Sequence, residues 1–136
     1  MSDAFSDSYE TKILTQLFDF NVPALSIRPS ALYLTAYTSG NAPTDSTFGT
    51  DISGGGFARQ AITMSVTNNV ASNTTQIVFP TASSTWGLVT HVGIVDDLTA
   101  SNPSNLIAYS ALATQKQINA NDVLTFLAGQ LTLTLT

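Results

Sequence analysis

The sequence predicts a mainly β fold, an antiparallel β-sandwich or barrel-like domain with one N-terminal α-helix. Three observations predict it. Short segments alternate apolar and polar residues, turn-forming residues separate these segments, and helical periodicity is confined to the region near the N-terminus. A length of 136 residues suits a single domain, 1–136, with a core of its own, and the absence of cysteine means that no disulfide contributes to its stability.

The first predicted element is a helix at about residues 4–20. Asp7 and Glu10 have the spacing of a capping box, and Pro23 follows the end of the pattern. Its apolar residues recur every four positions or lie beside those that do: Phe5, Tyr9, Ile13, Leu17, Leu14 and Phe18. A helix this short depends on packing for its stability. Its apolar face therefore either covers the sheet or docks on a partner chain, and both alternatives stay open.

Period-two alternation begins after Pro29. The first alternating segment places Leu32, Leu34 and Ala36 on one face and Tyr33, Thr35 and Tyr37 on the other. The predicted strands cover residues 31–37, 57–66, 75–79, 88–95, 105–112, 122–127 and 130–136. In the last strand leucine alternates with threonine up to Thr136, which predicts that the end of the chain pairs within the sheet or across a subunit boundary.

Residues 39–56 form a long polar loop between two predicted strands. Loops beyond about 12–15 residues are usually functional or disordered, so this loop is a candidate contact arm with Phe48 and Ile52 as its apolar groups. We expect it to be mobile alone and ordered on contact. Deleting residues 41–52 is then expected to leave the β domain folded.

Three consecutive glycines, Gly54–Gly56, end this loop. They lack the Lys-Ser/Thr pair and the helix that follow a phosphate-binding loop, so positive φ angles or a bulge are the expected reason for them. Arg59 has two equal interpretations, an interface anchor or an ion pair with a nearby aspartate. Trp86, after a turn segment that begins at Pro80, is expected to anchor the core or a subunit interface.

The charge balance excludes several classes of partner. Only 10% of the residues are charged and the net charge is −5, which argues against a nucleic-acid partner because phosphate contacts depend on lysine and arginine. The N-terminus lacks the features of a signal peptide. The apolar runs are a few residues long, far below the ~20 that cross a bilayer, so no membrane partner is predicted.

No pattern of catalytic or metal-ligating residues is recognisable. His91 is the single histidine and the only candidate base for a serine triad, and no Gly-x-Ser-x-Gly motif accompanies it. It is expected to be a structural or interface residue that shares a strand face with Val89, Gly93 and Val95. The chain has no cysteine and matches no calcium loop, and Asp96-Asp97 is expected to form a turn. The prediction is a non-enzymatic protein with no catalytic residue, no metal and no cofactor.

The order of several short segments resembles a known group of proteins. The segments are Tyr9-Glu10-Thr11-Lys12-Ile13-Leu14, Pro29-Ser30-Ala31-Leu32-Tyr33-Leu34, Ser53-Gly54-Gly55-Gly56-Phe57-Ala58-Arg59-Gln60-Ala61, Val78-Phe79-Pro80-Thr81-Ala82, Trp86-Gly87-Leu88-Val89-Thr90-His91-Val92-Gly93-Ile94, Ala111-Leu112-Ala113-Thr114 and Ala128-Gly129-Gln130-Leu131-Thr132-Leu133. In this order they resemble small tailed-bacteriophage virion structural proteins, often described as tail-fibre proteins, of which some relatives resemble capsid cement (decoration) proteins.

The resemblance implies a non-enzymatic virion component that is made in the cytoplasm of the bacterial host. The first expectation is a capsid cement protein, a homo-oligomer that stabilises the head through contacts with the major capsid protein or other virion proteins. A tail-fibre or tail-tip component is the second. Outside this class, a carbohydrate-binding β module would stack a host glycan on Trp86 or Tyr37. The residues expected at an interface are Phe5, Tyr9, Ile13, Phe48, Ile52, Arg59 and Trp86.

Overall fold

A computed structural model describes residues 5–21, 23 and 28–135. The fold is mainly β, with antiparallel sheets and a single α-helix near the N-terminus, which confirms the predicted fold class. The helix is α1 (Asp7–Phe18) and the strands are β1 (Leu32–Thr38), β2 (Gln60–Ile62), β3 (Met64–Thr67), β4 (Val70–Asn73), β5 (Ile77–Val78), β6 (Gly87–Val95), β7 (Leu106–Ile118), β8 (Thr125–Phe126) and β9 (Thr132–Thr134). The predicted helix start at residue 4 and the predicted pairing of Thr136 lie outside the described residues.

The largest sheet has four antiparallel strands in the order β2-β1-β6-β7. Its strand β1 is buried on both faces. Leu34 and Ala36 belong to the main core, whereas Tyr37 on the other face belongs to a second apolar cluster with Phe48 and Val95. The two predicted faces of this strand are therefore confirmed, and the face that carries polar groups in the sequence is buried because residues 39–56 pack over it.

Two smaller sheets complete the fold, with orders β3-β4-β9 and β5-β8. The predicted strand 57–66 divides at Thr63, where the chain leaves the large sheet and enters the three-stranded one. Strand β4 was not predicted, because its sequence Val-Ala-Ser-Asn contains little apolar alternation. It forms because β3 and β9 pair on either side of it. Strand β9 thus pairs within its own chain.

A wide bulge interrupts the ladder between β6 and β7. Val89 pairs with Lys116 and His91 with Ala111, so that the single residue Thr90 lies opposite residues 112–115. Strand β7 therefore continues to Ile118 instead of ending near 112. The bulge also corrects one part of the expectation for His91, because Val89 lies in the main core and His91 lies beside Tyr37 on the other face. The other part is confirmed, since Gly93 and Val95 lie on the face of His91.

Aromatic side chains fill one end of the main core. Phe57 stacks on Phe79 with a centroid separation of 5.4 Å and meets Trp86 edge-on at 5.2 Å. The Trp86 indole N–H donates to the carbonyl of Gly55 (2.8 Å), and the side chain is only 9% exposed. Gly55 has φ +58°, and a Cβ there would lie 2.9 Å from the indole. Trp86 is thus a core anchor, and the predicted positive φ of the glycines is confirmed.

Across residues 5–21, 23 and 28–135, no helix is both long enough and apolar enough to cross a bilayer.

Candidate functional site

Helix α1 is attached to the body of the protein at its N-terminal end. Ser6 is the N-cap: its hydroxyl accepts from the backbone N–H of Tyr9 (3.4 Å) and donates to the carbonyl of Leu106, while its own N–H donates to Ile107 (2.9 Å). The predicted capping box at Asp7 and Glu10 is therefore wrong by one position. Ser6 takes the role because these hydrogen bonds hold it to the start of β7.

Tyr9 fixes the helix to the turn after β6. It is the buried residue of α1, and its hydroxyl donates to the carboxylate of Asp96 (2.6 Å), which also accepts from the side-chain amide of Asn105 (2.8 Å). Burial and, after it, the hydrogen bond to Asp96 raise the pKa of Tyr9 well above its ordinary value. The hydroxyl is therefore a permanent donor near neutral pH. The ammonium of Lys12 lies 4.0 Å from the centre of the Tyr9 ring.

The opposite side of α1 has no contact that buries it. Asp7, Glu10, Leu14, Leu17 and Phe18 are all exposed, with exposed fractions of 57%, 60% and 71% for the last three. We call these five residues the outer stripe. At 3.6 residues per turn all five lie within a sector of about 100° of the helix surface, with Leu17 and Phe18 at its two sides.

The predicted apolar face of the helix is therefore divided. Phe5 and Ile13 are half-buried and Tyr9 is buried, in agreement with a face that packs on the sheet, but Leu17 is not. Four residues turn an α-helix about 40° further than one full turn. The two such steps from Tyr9 to Leu17 add to about 80°, which moves Leu17 toward the solvent side, where Leu14 and Phe18 also lie.

Residues 39–56 lie folded against the large sheet. Phe48 is 3% exposed and meets Tyr37 edge-on at 6.2 Å. Ile52 packs against the main core, and its N–H donates to the carbonyl of Ala36 (3.0 Å). This geometry corrects the expectation of a contact arm with Phe48 and Ile52 at its surface, because both side chains pack on their own chain.

Arg59 connects this loop to the turn at residues 97–101. Its Nε donates to the carboxylate of Asp51 (2.9 Å), Nη1 donates to the carbonyls of Asp97 (2.9 Å) and Ala100 (2.7 Å), and Nη2 donates to the hydroxyl of Ser101 (2.9 Å). The guanidinium also lies 5.1 Å from the Phe48 ring centre. Of the two interpretations, the ion pair with an aspartate is confirmed. The side chain is buried in its own chain, and all but one of its N–H groups donate to acceptors there.

The turn that receives Arg59 begins at Asp96-Asp97, as predicted. The backbone N–H groups of Ala100 and Thr99 donate to the Asp97 carboxylate at 2.7 and 2.8 Å. These two hydrogen bonds lower the pKa of Asp97 below its ordinary value. The turn is thus held from both sides, by its own carboxylate and by Arg59.

The aromatic residues considered as sugar platforms are interior. Tyr37 is fully buried and Trp86 is 9% exposed, so neither ring presents a face for stacking. This corrects the expectation of stacking for a carbohydrate-binding module. A polar cleft of ≈ 240 Å³ does open beside Trp86, where its lining includes the hydroxyls of Thr50, Ser53 and Ser84.

The side chain of His91 contacts that of the preceding residue. Its Nδ1 lies 2.9 Å from the hydroxyl of its neighbour Thr90. No group of three or more histidine, aspartate or glutamate side chains that could hold a metal ion occurs in the part of the chain that the structure describes.

A second exposed apolar surface lies on the three-stranded sheet. Val66 and Leu135 are 71% and 65% exposed, and with Phe5, Ala71 and Leu133 they line a groove of ≈ 200 Å³. We call it the sheet groove. Along the leucine alternation, Leu131 is buried and Leu133 packs on the main core, whereas Leu135 is exposed. The alternation predicts that these side chains share a face but not that Leu135 is exposed.

The chain matches one protein family over almost its full length. The model of the family described as Podophage GP4 fiber I protein gp80 matches residues 4–134, which include α1 and all nine described strands. No curated protein matches the chain. The family description agrees with the predicted resemblance to tailed-phage virion proteins.

Proposed function

The chain belongs to the family of the podophage GP4 fiber I protein gp80 and is a phage virion structural protein; from this premise we propose that it is a subunit of a virion fibre. The match over residues 4–134 is the observation that carries the proposal, because it covers the whole described fold and not one shared segment. The subunit acts through protein–protein contacts, without catalysis.

The surface of the fold suits a protein that works by contact. Soluble monomers rarely expose large contiguous apolar patches, and such patches usually mark sites of interaction. Exposed apolar side chains occur together at two places among the described residues, in the C-terminal half of the outer stripe of α1 and in the sheet groove. A fibre subunit needs contacts of two kinds, one with copies of itself and one with another virion protein, and two surfaces can serve them.

Association of copies is expected at the three-stranded sheet. Its edge strands β3 and β9 each have one side that no described strand pairs with, and unpaired N–H and C=O groups favour pairing with another chain. The neighbouring sheet groove adds apolar area to such a contact. Light scattering of the purified protein should therefore give at least twice the mass of 14.3 kDa. A monomer at all micromolar concentrations would contradict this part of the proposal.

The capsid surface, as the site of a decoration protein, is the other location that the sequence suggests. One experiment distinguishes it from a virion fibre. Virions are labelled with gold-conjugated antibody against the purified protein and imaged by cryo-EM, with virions from a deletion phage as the control. The expected result is label on a fibre and unchanged heat resistance of the capsid in deletion virions. Label over the capsid lattice, together with heat-sensitive heads, would contradict the fibre and support decoration.

A further inference from the structure

The outer stripe of α1 has two chemically different halves. Asp7 and Glu10 occupy its N-terminal half, and Leu14, Leu17 and Phe18 occupy its C-terminal half. At 1.5 Å per residue the stripe is about 16 Å long. Such a surface is acidic at one end and apolar at the other, and all five side chains are exposed.

A second copy of the chain is a poor occupant for this surface. In a symmetric pair each stripe meets the same stripe of its partner. Parallel stripes bring Asp7 and Glu10 against their own equivalents, and antiparallel stripes place these carboxylates over Leu14 and Leu17. Both arrangements bury charge without an opposite charge, which is unfavourable.

The rest of the chain supplies few cations to correct this mismatch. Of its four lysines and arginines, Arg59 is buried in its ion pair with Asp51 and Lys12 lies over the Tyr9 ring on the packed side of the helix. Arg28 and Lys116 are exposed, but the net charge of the chain is −5. Charge complementarity therefore favours a partner of a different kind, with basic groups of its own.

We propose that the outer stripe seats in a groove on a different virion protein, a groove that is apolar where it receives Leu14, Leu17 and Phe18 and carries lysine or arginine where it meets Asp7 and Glu10. A helix that lays an apolar stripe into a groove is a recurring mode of recognition, in which residues at spacings of three and four are the anchors. Charges at the rim of such a contact select the partner and the direction of the helix. The inference rests on the proposed function, since it identifies the surface by which the subunit joins the virion.

The test measures incorporation into virions. Variants are expressed from a plasmid in cells infected by a phage from which the gene is deleted, and the amount of the chain per purified virion is measured by immunoblot. Leu14→Gln/Leu17→Gln should lower incorporation at least tenfold, because glutamine keeps the helix propensity and removes the apolar anchors. The matched control is Leu98→Gln, which changes an exposed leucine (52%) outside the helix and should stay within twofold of wild type.

The acidic half is tested by Asp7→Asn/Glu10→Gln, which should lower incorporation about threefold. Because acidic residues in a first turn also stabilise the helix itself, circular dichroism of each variant must show the wild-type helix content. If the double leucine variant does not fold, Phe18→Gln alone serves in its place.

Each outcome bears on the proposal. Wild-type incorporation of the leucine variant would overturn it, while the proposed function would stand because the wild-type chain is still in the virion. If the Asp7/Glu10 variant is incorporated like wild type, the inference that the groove carries lysine or arginine opposite these two residues is wrong. If the leucine variant instead dissociates an oligomer seen by light scattering, the occupant is a second copy and the proposal is wrong. Absence of the wild-type chain from virions would overturn the proposed function itself.

Discussion

Helix α1 and the loop of residues 39–56 touch each other, yet the helix exposes large apolar side chains to solvent and the loop buries its phenylalanine. The N–H of Asp7 donates to the carbonyl of Asp45 (2.9 Å), so the helix begins on the loop. The loop turns Phe48 inward to 3% exposure, whereas the helix leaves Phe18 71% exposed. Contacts with other side chains, more than amino-acid composition, therefore decide which of the two segments becomes interior. Asp51 and Phe48 meet Arg59 inside the fold, and Phe18 meets nothing that buries it.

The largest expected effect is that of removing the loop. Deletion of residues 41–52 takes away Phe48, the carboxylate of Asp51 and the packing of Ile52, and it uncovers Tyr37. We therefore expect the deleted protein to lose its cooperative thermal transition in circular dichroism, in contrast to the expectation from the sequence. Ser46→Ala, at the exposed tip of the loop, is the control and should melt like wild type. A deleted protein that still melts cooperatively would show that the loop is dispensable.

The second effect compares the two cations that lie over aromatic rings. Arg59→Ala leaves the half-buried carboxylate of Asp51 without its ion pair, which should lower the free energy of unfolding by about 3–5 kcal/mol. Lys12→Ala removes a shorter cation–ring contact, yet it should cost only about 0.5–1 kcal/mol, the range for such a contact near the protein surface. Urea unfolding measures both values, and equal losses would contradict the contrast between loop and helix.

The third effect concerns two tyrosines: Tyr9, which belongs to helix α1, and Tyr37, which the loop of residues 39–56 covers. At neutral pH, Tyr9→Phe should cost about 1 kcal/mol through the lost hydrogen bond to Asp96. Tyr37→Phe should be close to neutral, because the buried Tyr37 hydroxyl has no hydrogen-bond partner among the described residues.

High pH tests the same pair. Burial, and then the nearby carboxylate of Asp51, raise the pKa of Tyr37, and burial and Asp96 raise that of Tyr9, both above the ordinary value of 10.0. The folded state therefore keeps protons that the unfolded state loses, so the free energy of unfolding falls as the pH rises above 10.0. Each tyrosine-to-phenylalanine variant should show a shallower fall between pH 9 and about 11 in urea unfolding. If the free energy of unfolding falls as steeply in both variants as in wild type, groups other than Tyr9 and Tyr37 cause the loss of stability at high pH.

The smallest effect on stability is that of the outer stripe. Leu14→Gln/Leu17→Gln should change the free energy of unfolding by less than about 0.5 kcal/mol, since both side chains are already exposed and glutamine favours the helix. The same variant is expected to lose incorporation into virions. Thermal unfolding by circular dichroism measures the first quantity. A loss of several kcal/mol would mean that the stripe packs on its own chain.

The sequence predicts those strands whose own residues alternate clearly between apolar and polar side chains. The alternation in residues 31–37 predicts β1 and its two faces, and the leucine–threonine alternation predicts β9. The sequence does not predict strand β4, because this strand is stabilised by pairing with β3 and β9 and its own Ala-Ser-Asn residues show no apolar alternation. The sequence likewise does not predict the four-residue bulge of β7. The bulge results from how β7 pairs with β6 on either side of Thr90, and hydrophobic periodicity carries no information about that pairing.

The candidate interface was harder to predict than the fold. The seven residues proposed from the sequence are the aromatic, apolar and guanidinium groups that an interface and a core use alike, and four of them, Tyr9, Phe48, Arg59 and Trp86, are buried in their own chain. A helical projection that follows the 100° step per residue, in place of a period of four, separates Leu17 from Tyr9. That signal was present in the sequence.

The interrupted edge of β7 has a consequence for contacts between free copies of the chain. A long, flat edge strand would let such copies pair edge to edge into disordered aggregates. Here residues 5 and 6 cover the start of the edge through the Phe5–Ala108 bridge and the bond from the Ser6 N–H to Ile107, and residues 112–115 bulge out of its middle. The exposed Lys116 adds a charge beyond the bulge. The longest described strand is thus protected against edge-to-edge pairing with other copies of the chain, the first step of amyloid-like growth.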